Sequence, residues 1–356
     1  MYLSTFNPTL LTAVLLITIA SSAPSSGLLP SWRQLAPIPL FPRQEQTTVF
    51  LPPSTIAILG GVIPSNTSFP PVDTTPLMQF YSIETDTWAT KTSMPRGLNH
   101  ANAAVVNGKI YVLGGLAETG EGKRVWGAVP DSWVYDPITD LWETIPGVPA
   151  GEERGSAAVG TYQSKIYLAG GMSELELFEN GTQNSVSVVS IFDTNTKTWL
   201  SVPEAANYIP EARDHAGAAV VDAKMYVLGG RDSGQENIRD TVFVLDLCDL
   251  EAGWKTSAAR MPTTRGGVAA GVIGKKVYVF GGEGNAQSET GVFDQVEVYD
   301  TMRDQWAKAG RMRLPRHGTY AVGVNGKVYI PGGGVSQSGA PVSDFDVFVP
   351  HTWTMA

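Results

Sequence analysis

Four arginines, Arg154, Arg213, Arg265 and Arg316, each stand sixteen residues before the first glycine of a Gly-Gly pair. A guanidinium stays charged at neutral pH and presents a planar fork that grips carboxylate or phosphate through two parallel hydrogen bonds. Two positions further on come His100 and His215, where the other copies carry Gln46, Ser156, Gly267 and Gly318. Imidazole can move a proton near neutral pH or ligate a metal. Trp126, outside any repeated position and flanked by Lys123 and Arg124, offers a flat apolar face on which a ring could stack. Gathered at one mouth, these groups would suit an anionic small molecule, a sugar acid, another carbohydrate or an acidic peptide. The arginines could equally serve the scaffold, neutralised by neighbours such as Glu152, Glu153 and Asp214. Both readings stay open. His100 and His215 belong to the second and fourth copies, which are not adjacent. No Asp, Glu or Cys lies at ligand spacing from them, so neither a metal site nor a cofactor is expected.

The elements that must position these side chains repeat. Gly-Gly pairs begin at Gly60, Gly114, Gly170, Gly229, Gly281 and Gly332, at intervals of 54, 56, 59, 52 and 51 residues. A period near ~50 residues with four strand signals per unit is the pattern of propeller blades. The unit Arg213 to Trp254 shows all four. The apolar run Ala216 to Val221 turns at Asp222-Ala223-Lys224 into Met225-Tyr-Val-Leu-Gly-Gly230; a polar loop, Thr241-Val-Phe-Val-Leu-Asp246 and Trp254 follow. Asn107-Gly108 and Asn325-Gly326 mark the same hairpin elsewhere, since this dipeptide accepts positive φ at both central positions. A tryptophan opens the fourth strand at Trp88, Trp142, Trp199, Trp254 and Trp306.

The order Arg, apolar strand, Tyr-x-x-Gly-Gly, loop, Val-Tyr-Asp, Trp resembles the kelch repeat from Trp32 to Trp353. The resemblance implies an all-β, six-bladed propeller of four antiparallel strands per blade, with blades near 36–92, 93–146, 147–203, 204–258, 259–310 and 311–356. The sixth unit lacks a normal outer strand, and Trp32 precedes Gly60 by the spacing of the other Trp-to-Gly-Gly gaps. The Trp32 segment is therefore expected to close the ring, with Trp353 as the rival strand. In kelch proteins that bind acidic peptides the two registers above line the pocket, which carries Arg154, Arg213, Arg265, Arg316, His100 and His215 over by position. Arg43 and Arg96 sit slightly out of register.

Composition narrows the roles. A formal charge of −9 argues against nucleic acid as a partner. Leu10 to Ala20 is too short to span a bilayer and fits the apolar segment of a signal peptide covering 1–22, with 23–356 as one propeller. Secretion is expected, with Asn66 and Asn180 as glycan acceptors and no membrane contact in the mature form. A single cysteine, Cys248, excludes an internal disulfide. A monomeric extracellular module that binds a ligand or a protein is the leading expectation. The alternative is a small-molecule isomerase, by likeness to kelch propellers that isomerise sialic acids, with Glu153 or His215 moving the proton. Copper radical oxidation, which in related propellers needs a Tyr–Cys cross-link and further domains, is not expected.

Overall fold

The computed structural model describes residues 30–66, 71–119, 125–178 and 181–350. The leader segment, Lys123, Arg124, Asn180 and Trp353 lie outside the described residues; Asn66 is exposed.

Antiparallel four-stranded units succeed one another round a ring. In the fourth, Gly217–Val221, Lys224–Leu228, Val242–Asp246 and Lys255–Thr256 pair in that order. Similar units occupy 47–91, 103–144, 158–200, 269–311 and 322–349, making six among the described residues. The innermost strands carry small side chains, as in Gly217–Val221 and Ala269–Ile273, because they crowd the axis. The hairpin Asn107-Gly108 takes φ of 51° and 75°, the left-handed pair that a tight two-residue turn requires. The second and third units fuse into one eight-stranded sheet. Their long hairpins meet where Val125–Asp136 pairs with Lys165–Glu176, setting Trp126 opposite Leu175.

The sixth unit takes its outer strand from the start of the chain. Ser31–Gln34 runs antiparallel to Phe345–Val349, with Trp32 opposite Phe348. The Trp32 indole donates to the Arg311 carbonyl at 2.8 Å, as Trp88, Trp142, Trp199 and Trp254 donate to carbonyls of the blade before them. Trp32 thus holds the tryptophan position of blade six, and the ring closes without a free edge.

A further link joins blade to blade, and a second set of bonds ties each blade together from within. The second glycine of each pair in blades one, three, four, five and six donates its N–H to the carbonyl of the residue at the arginine position of the next blade, at 2.7–3.0 Å. The first glycine of the pair is required beside this link: a Cβ on Gly281 would lie 2.1 Å from the Arg316 carbonyl oxygen that Gly282 bonds, and its φ is +55°. The arginines themselves turn inward. Arg43, Arg154, Arg213, Arg265 and Arg316 are 0–1 % exposed. Arg213 bonds the Gly229 carbonyl at 2.7 Å and Thr241 at 2.9 Å; Arg265 bonds the Gly281 carbonyl at 2.7 Å and Glu297 at 2.5 Å. Each staples its own Gly-Gly strand to the third strand. Burial pushes Arg154 down to about 10, still high enough to keep it charged.

Breaking such a buried pair leaves a stranded carboxylate. Arg265→Ala should lower the unfolding free energy by roughly 3–5 kcal/mol. Arg96, exposed and paired with Asp131 at 3.0 Å, should cost at most about 1 kcal/mol when replaced by Ala. Denaturant midpoints of the two variants check both values.

Candidate functional site: the axial mouth

One residue per blade forms a closed hydrogen-bonded ring about the axis: Glu45, His100, Ser156, His215, Gly267 and Gly318. All six have φ between 51° and 65°. Each backbone N–H donates to the previous blade, at 2.7 Å from Glu45 to Gly318, 3.0 Å from His100 to Glu45 and 2.8 Å from Ser156 to His100. His215 reaches the Ser156 hydroxyl at 3.1 Å. Gly267 and Gly318 complete the circuit at 2.9 and 3.2 Å. Above this ring opens a cavity of about 1230 Å³.

The ring is narrow, so side chains from non-adjacent blades meet. His100 Nε2 lies 3.0 Å from His215 Nε2 and 3.1 Å from Glu45 Oε2. The expectation that blades two and four hold their histidines apart is therefore corrected: at the axis, blades separated by one other are within touching distance. Asp214 accepts from His215 Nδ1 at 2.5 Å, Arg231 Nε at 3.1 Å, Gln183 at 2.7 Å and the Ser185 hydroxyl. Four donors keep it ionised; burial opposes this, but the hydrogen bond from His215 and the charge of Arg231 hold the carboxyl at about 2. His215 carries its proton on Nδ1, so the Nε2 lone pair faces the axis, with Arg231 3.2 Å away. Burial, then the Arg231 charge, push His215 below its ordinary value. His100 faces Asn99 Oδ1 at 2.6 Å through Nδ1 and Glu45 through Nε2, acceptors on both sides. Burial alone would raise Glu45, but the charge and hydrogen bond of His100 hold it well below the usual carboxylate range. Arg231 also pairs with Glu283 at 2.5 Å, and Glu283 lies 3.3 Å from His317.

One wall of the cavity is apolar. Val62, Leu116, Trp126 and Met172 form a buried cluster against which Val72, Leu175 and Leu177 pack. Trp126 stands 5.7 Å from His100, ring to ring. Amides and hydroxyls of Gln183, Asn184, Gln235, Asn237, Gln337 and Ser338 also line the cavity.

Of the residues singled out from sequence, the structure brings His100, His215 and Trp126 together at the mouth. It does not bring Arg154, Arg213, Arg265 or Arg316 there: their forks are spent on backbone carbonyls and third-strand side chains. With them goes the ring of positive charge. Gln46, read as the blade-one counterpart of the histidines, instead bonds the Pro331 carbonyl at 2.7 Å and ties blade one to blade six. Glu45 holds the ring position. Counting forward from the arginine, two residues from Arg43, would have found it; counting back from Gly60 misses by one. Asp214, Arg231 and Glu283 were also missed. Arg231 and Glu283 each directly follow a Gly-Gly pair, and that register bridges the residue beside each ring position.

Family models match on the "KLHDC2/KLHL20/DRC7 Kelch-repeats domain" over residues 178–355 and the "Kelch motif" over 98–149. The chain is 38 % identical over 334 residues to "Kelch-like protein terF" of Aspergillus terreus, covering 92 % of this chain and 70 % of that protein. The chain belongs to the kelch-repeat family. Kelch domain-containing protein 3 of Homo sapiens is a more distant relative, 28 % identical over 276 residues, covering 73 % of this chain and 70 % of that one. Among solved structures, "Structure of YjhT" shares the kelch propeller fold at TM-score 0.67 and 18 % identity, over 87 % of this chain and 95 % of that one.

If Asp214 fixes the His215 tautomer, wild-type protein near pH 7.5 should show a protonated Nδ1 and a bare Nε2 in ¹⁵N imidazole spectra. Asp214→Asn should shift population towards the Nε2–H form. An unchanged spectrum would remove Asp214 from that role.

Proposed function

We propose that this kelch propeller is a binding module whose axial mouth takes a small, uncharged, polyhydroxylated ring. The observation that carries the reading is the cavity of about 1230 Å³, whose lining combines Trp126 and aliphatic side chains with several amides and hydroxyls. Pockets of roughly 300–1,000 Å³ with few convergent polar groups are the usual small-molecule sites, and this one is somewhat larger. Amides and hydroxyls satisfy ligand hydroxyls, while an indole face covers the apolar face of a ring. The anionic ligand expected from the arginines has less to hold it. The mouth's arginine, Arg231, already has its fork engaged by Asp214 and Glu283. Of the two ligand chemistries expected from sequence, the carbohydrate fits better.

Screening the purified protein against neutral glycans and polyols by thermal shift tests this. For any ligand found, Trp126→Ala should weaken binding about tenfold or more, the value of roughly 1.4 kcal/mol, while leaving the far-UV spectrum unchanged. A ligand whose affinity ignores Trp126 binds elsewhere.

A second reading, a proton-transfer isomerase, rests on one specific observation. A base, His215 Nε2 oriented by Asp214, stands 3.0 Å from the acid side of the His100–Glu45 pair. Such a pair is the minimum for moving a proton between two positions of one ligand. Incubating a bound ligand in D₂O should then exchange a carbon-bound proton with wild type, and at least 100-fold more slowly with His215→Gln. Equal exchange rates would dismiss catalysis and leave the binding module.

A further inference from the structure

We propose that Glu45, His100 and His215 form a site for one divalent transition-metal ion of the zinc type, at the floor of the mouth. Among the described residues these are the His and carboxylate side chains whose ligating atoms all lie within 4.8 Å of one another. The facing atoms are His100 Nε2, His215 Nε2 and Glu45 Oε2, separated by 3.0, 3.1 and 3.9 Å. The centre of the circle through those three points is about 2 Å from each, which matches zinc–imidazole and zinc–carboxylate bonds of roughly 2.0–2.2 Å. An ion seated there needs no displacement of backbone.

The surroundings give a second and separate argument. Histidines that ligate a metal almost always donate their other ring N–H to an acceptor, which fixes the tautomer and aims the lone pair. Both do so here: His215 Nδ1 to Asp214 at 2.5 Å and His100 Nδ1 to Asn99 at 2.6 Å. Glu45 follows the same rule, its Oε1 held by Gln44 at 3.1 Å, leaving Oε2 for the centre. Each of the three ligands therefore has its non-facing atom tied by the residue immediately before it in the chain. That residue is held in turn by the bridge at the neighbouring register, Gln44 to Val62, Asn99 to Leu116 and Asp214 to Arg231.

Charge agrees. Glu45, Asp214 and Glu283 bring three negative charges to the floor and Arg231 one positive. A divalent ion balances the remainder with the ligating histidines neutral. Arg231 lies 3.2 Å from His215 Nε2, and its bonds to Asp214 and Glu283 hold it as the ion's like-charged neighbour. Three protein ligands facing the cavity leave coordination positions open to it, the arrangement of reactive rather than structural sites. Two imidazoles and one carboxylate suit Zn²⁺, Fe²⁺, Co²⁺ or Ni²⁺ more than Mg²⁺ or Ca²⁺.

The test uses the full chain, stripped with chelator and titrated with Co²⁺ and Zn²⁺. Visible Co²⁺ absorption should saturate at one ion per chain. Glu45→Gln, His100→Gln and His215→Gln should each weaken binding at least 100-fold. Asp214→Asn, which leaves all three ligands in place, should weaken it about 10- to 100-fold. Cys248→Ser should change nothing, because that thiol is exposed and outside the site. X-ray absorption of the zinc-loaded wild type needs no variant to fold: it should show two imidazoles and a carboxylate and no sulfur. Failure of wild type to bind either ion below millimolar concentration, binding that survives both histidine variants, or sulfur ligation would each overturn the proposal. The two readings separate by readout: loss of Co²⁺ and Zn²⁺ binding from wild type overturns this site alone, whereas failure of the glycan and polyol screen overturns the ligand reading alone.

Discussion

The propeller turns on a ring of six hydrogen bonds at its axis, five to backbone carbonyls and one to the Ser156 hydroxyl, where each blade donates one N–H to the blade before it. Blades joined only by side-chain packing could slide over one another. The head-to-tail ring at Glu45, His100, Ser156, His215, Gly267 and Gly318 fixes their rotation. It demands φ near +55° at every member, a region that costs ordinary residues about 1 kcal/mol or more. Two members are glycines and escape the cost. The other four bear it, and three of those carry the side chains capable of chemistry. The strain is held by its flanks: the residue before each ring member bridges to the strand after the Gly-Gly pair, and the buried arginine sits one position earlier still.

This arrangement explains why the repeated arginine is a poor guide to ligand. A guanidinium that donates to the Gly229 carbonyl, Thr241 and Glu211 has few donors left for a guest. Its recurrence follows from the recurrence of the carbonyl it satisfies. In blades one, four, five and six the second strand ends at the Gly-Gly pair, and an unpaired buried carbonyl there would be costly. Blade two is instructive. Its equivalent position is Leu98, fully buried, and there the neighbouring Asn102 takes up the inter-blade work, bonding the Leu113 carbonyl at 2.9 Å and the Arg154 carbonyl at 2.7 Å.

The architecture was legible in the chain because its causes are local and repeated. Gly-Gly pairs, Asn-Gly hairpins and outer tryptophans each answer a backbone requirement that recurs, and Trp32 could be placed in blade six from spacing alone. The site was legible only in part. His100, His215 and Trp126 were found; Glu45 was not, because Arg43 stands one residue further from its glycines than the arginines of blades three to six do. Asp214, Arg231 and Glu283 belong to positions where the copies share no residue type, so the repeat gives no signal for them. Proximity across the axis was also invisible, since blades far apart in sequence are close only where the ring is narrow.

Function in this fold therefore depends on where the six-fold pattern is broken. At the ring register the side chains are a carboxylate, an imidazole, a hydroxyl, an imidazole and two glycines, and the small members make room for the large. A Cβ on Gly318 would come within 2.2 Å of Glu45 Oε1, and one on Gly334 within 2.6 Å of Gln44 Oε1. Blade six thus yields the space that blade one's carboxylate fills. The same asymmetry runs one layer up, where Val62, Leu116 and Met172 in blades one to three give way to Arg231, Glu283 and Gly334 in blades four to six. That layer is accordingly apolar in blades one to three and charged in blades four and five. A symmetric ring would present six equal groups to the axis and could orient nothing. This one places two imidazoles and a carboxylate on one point and an indole beside them, so a guest entering along the axis meets a single preferred direction.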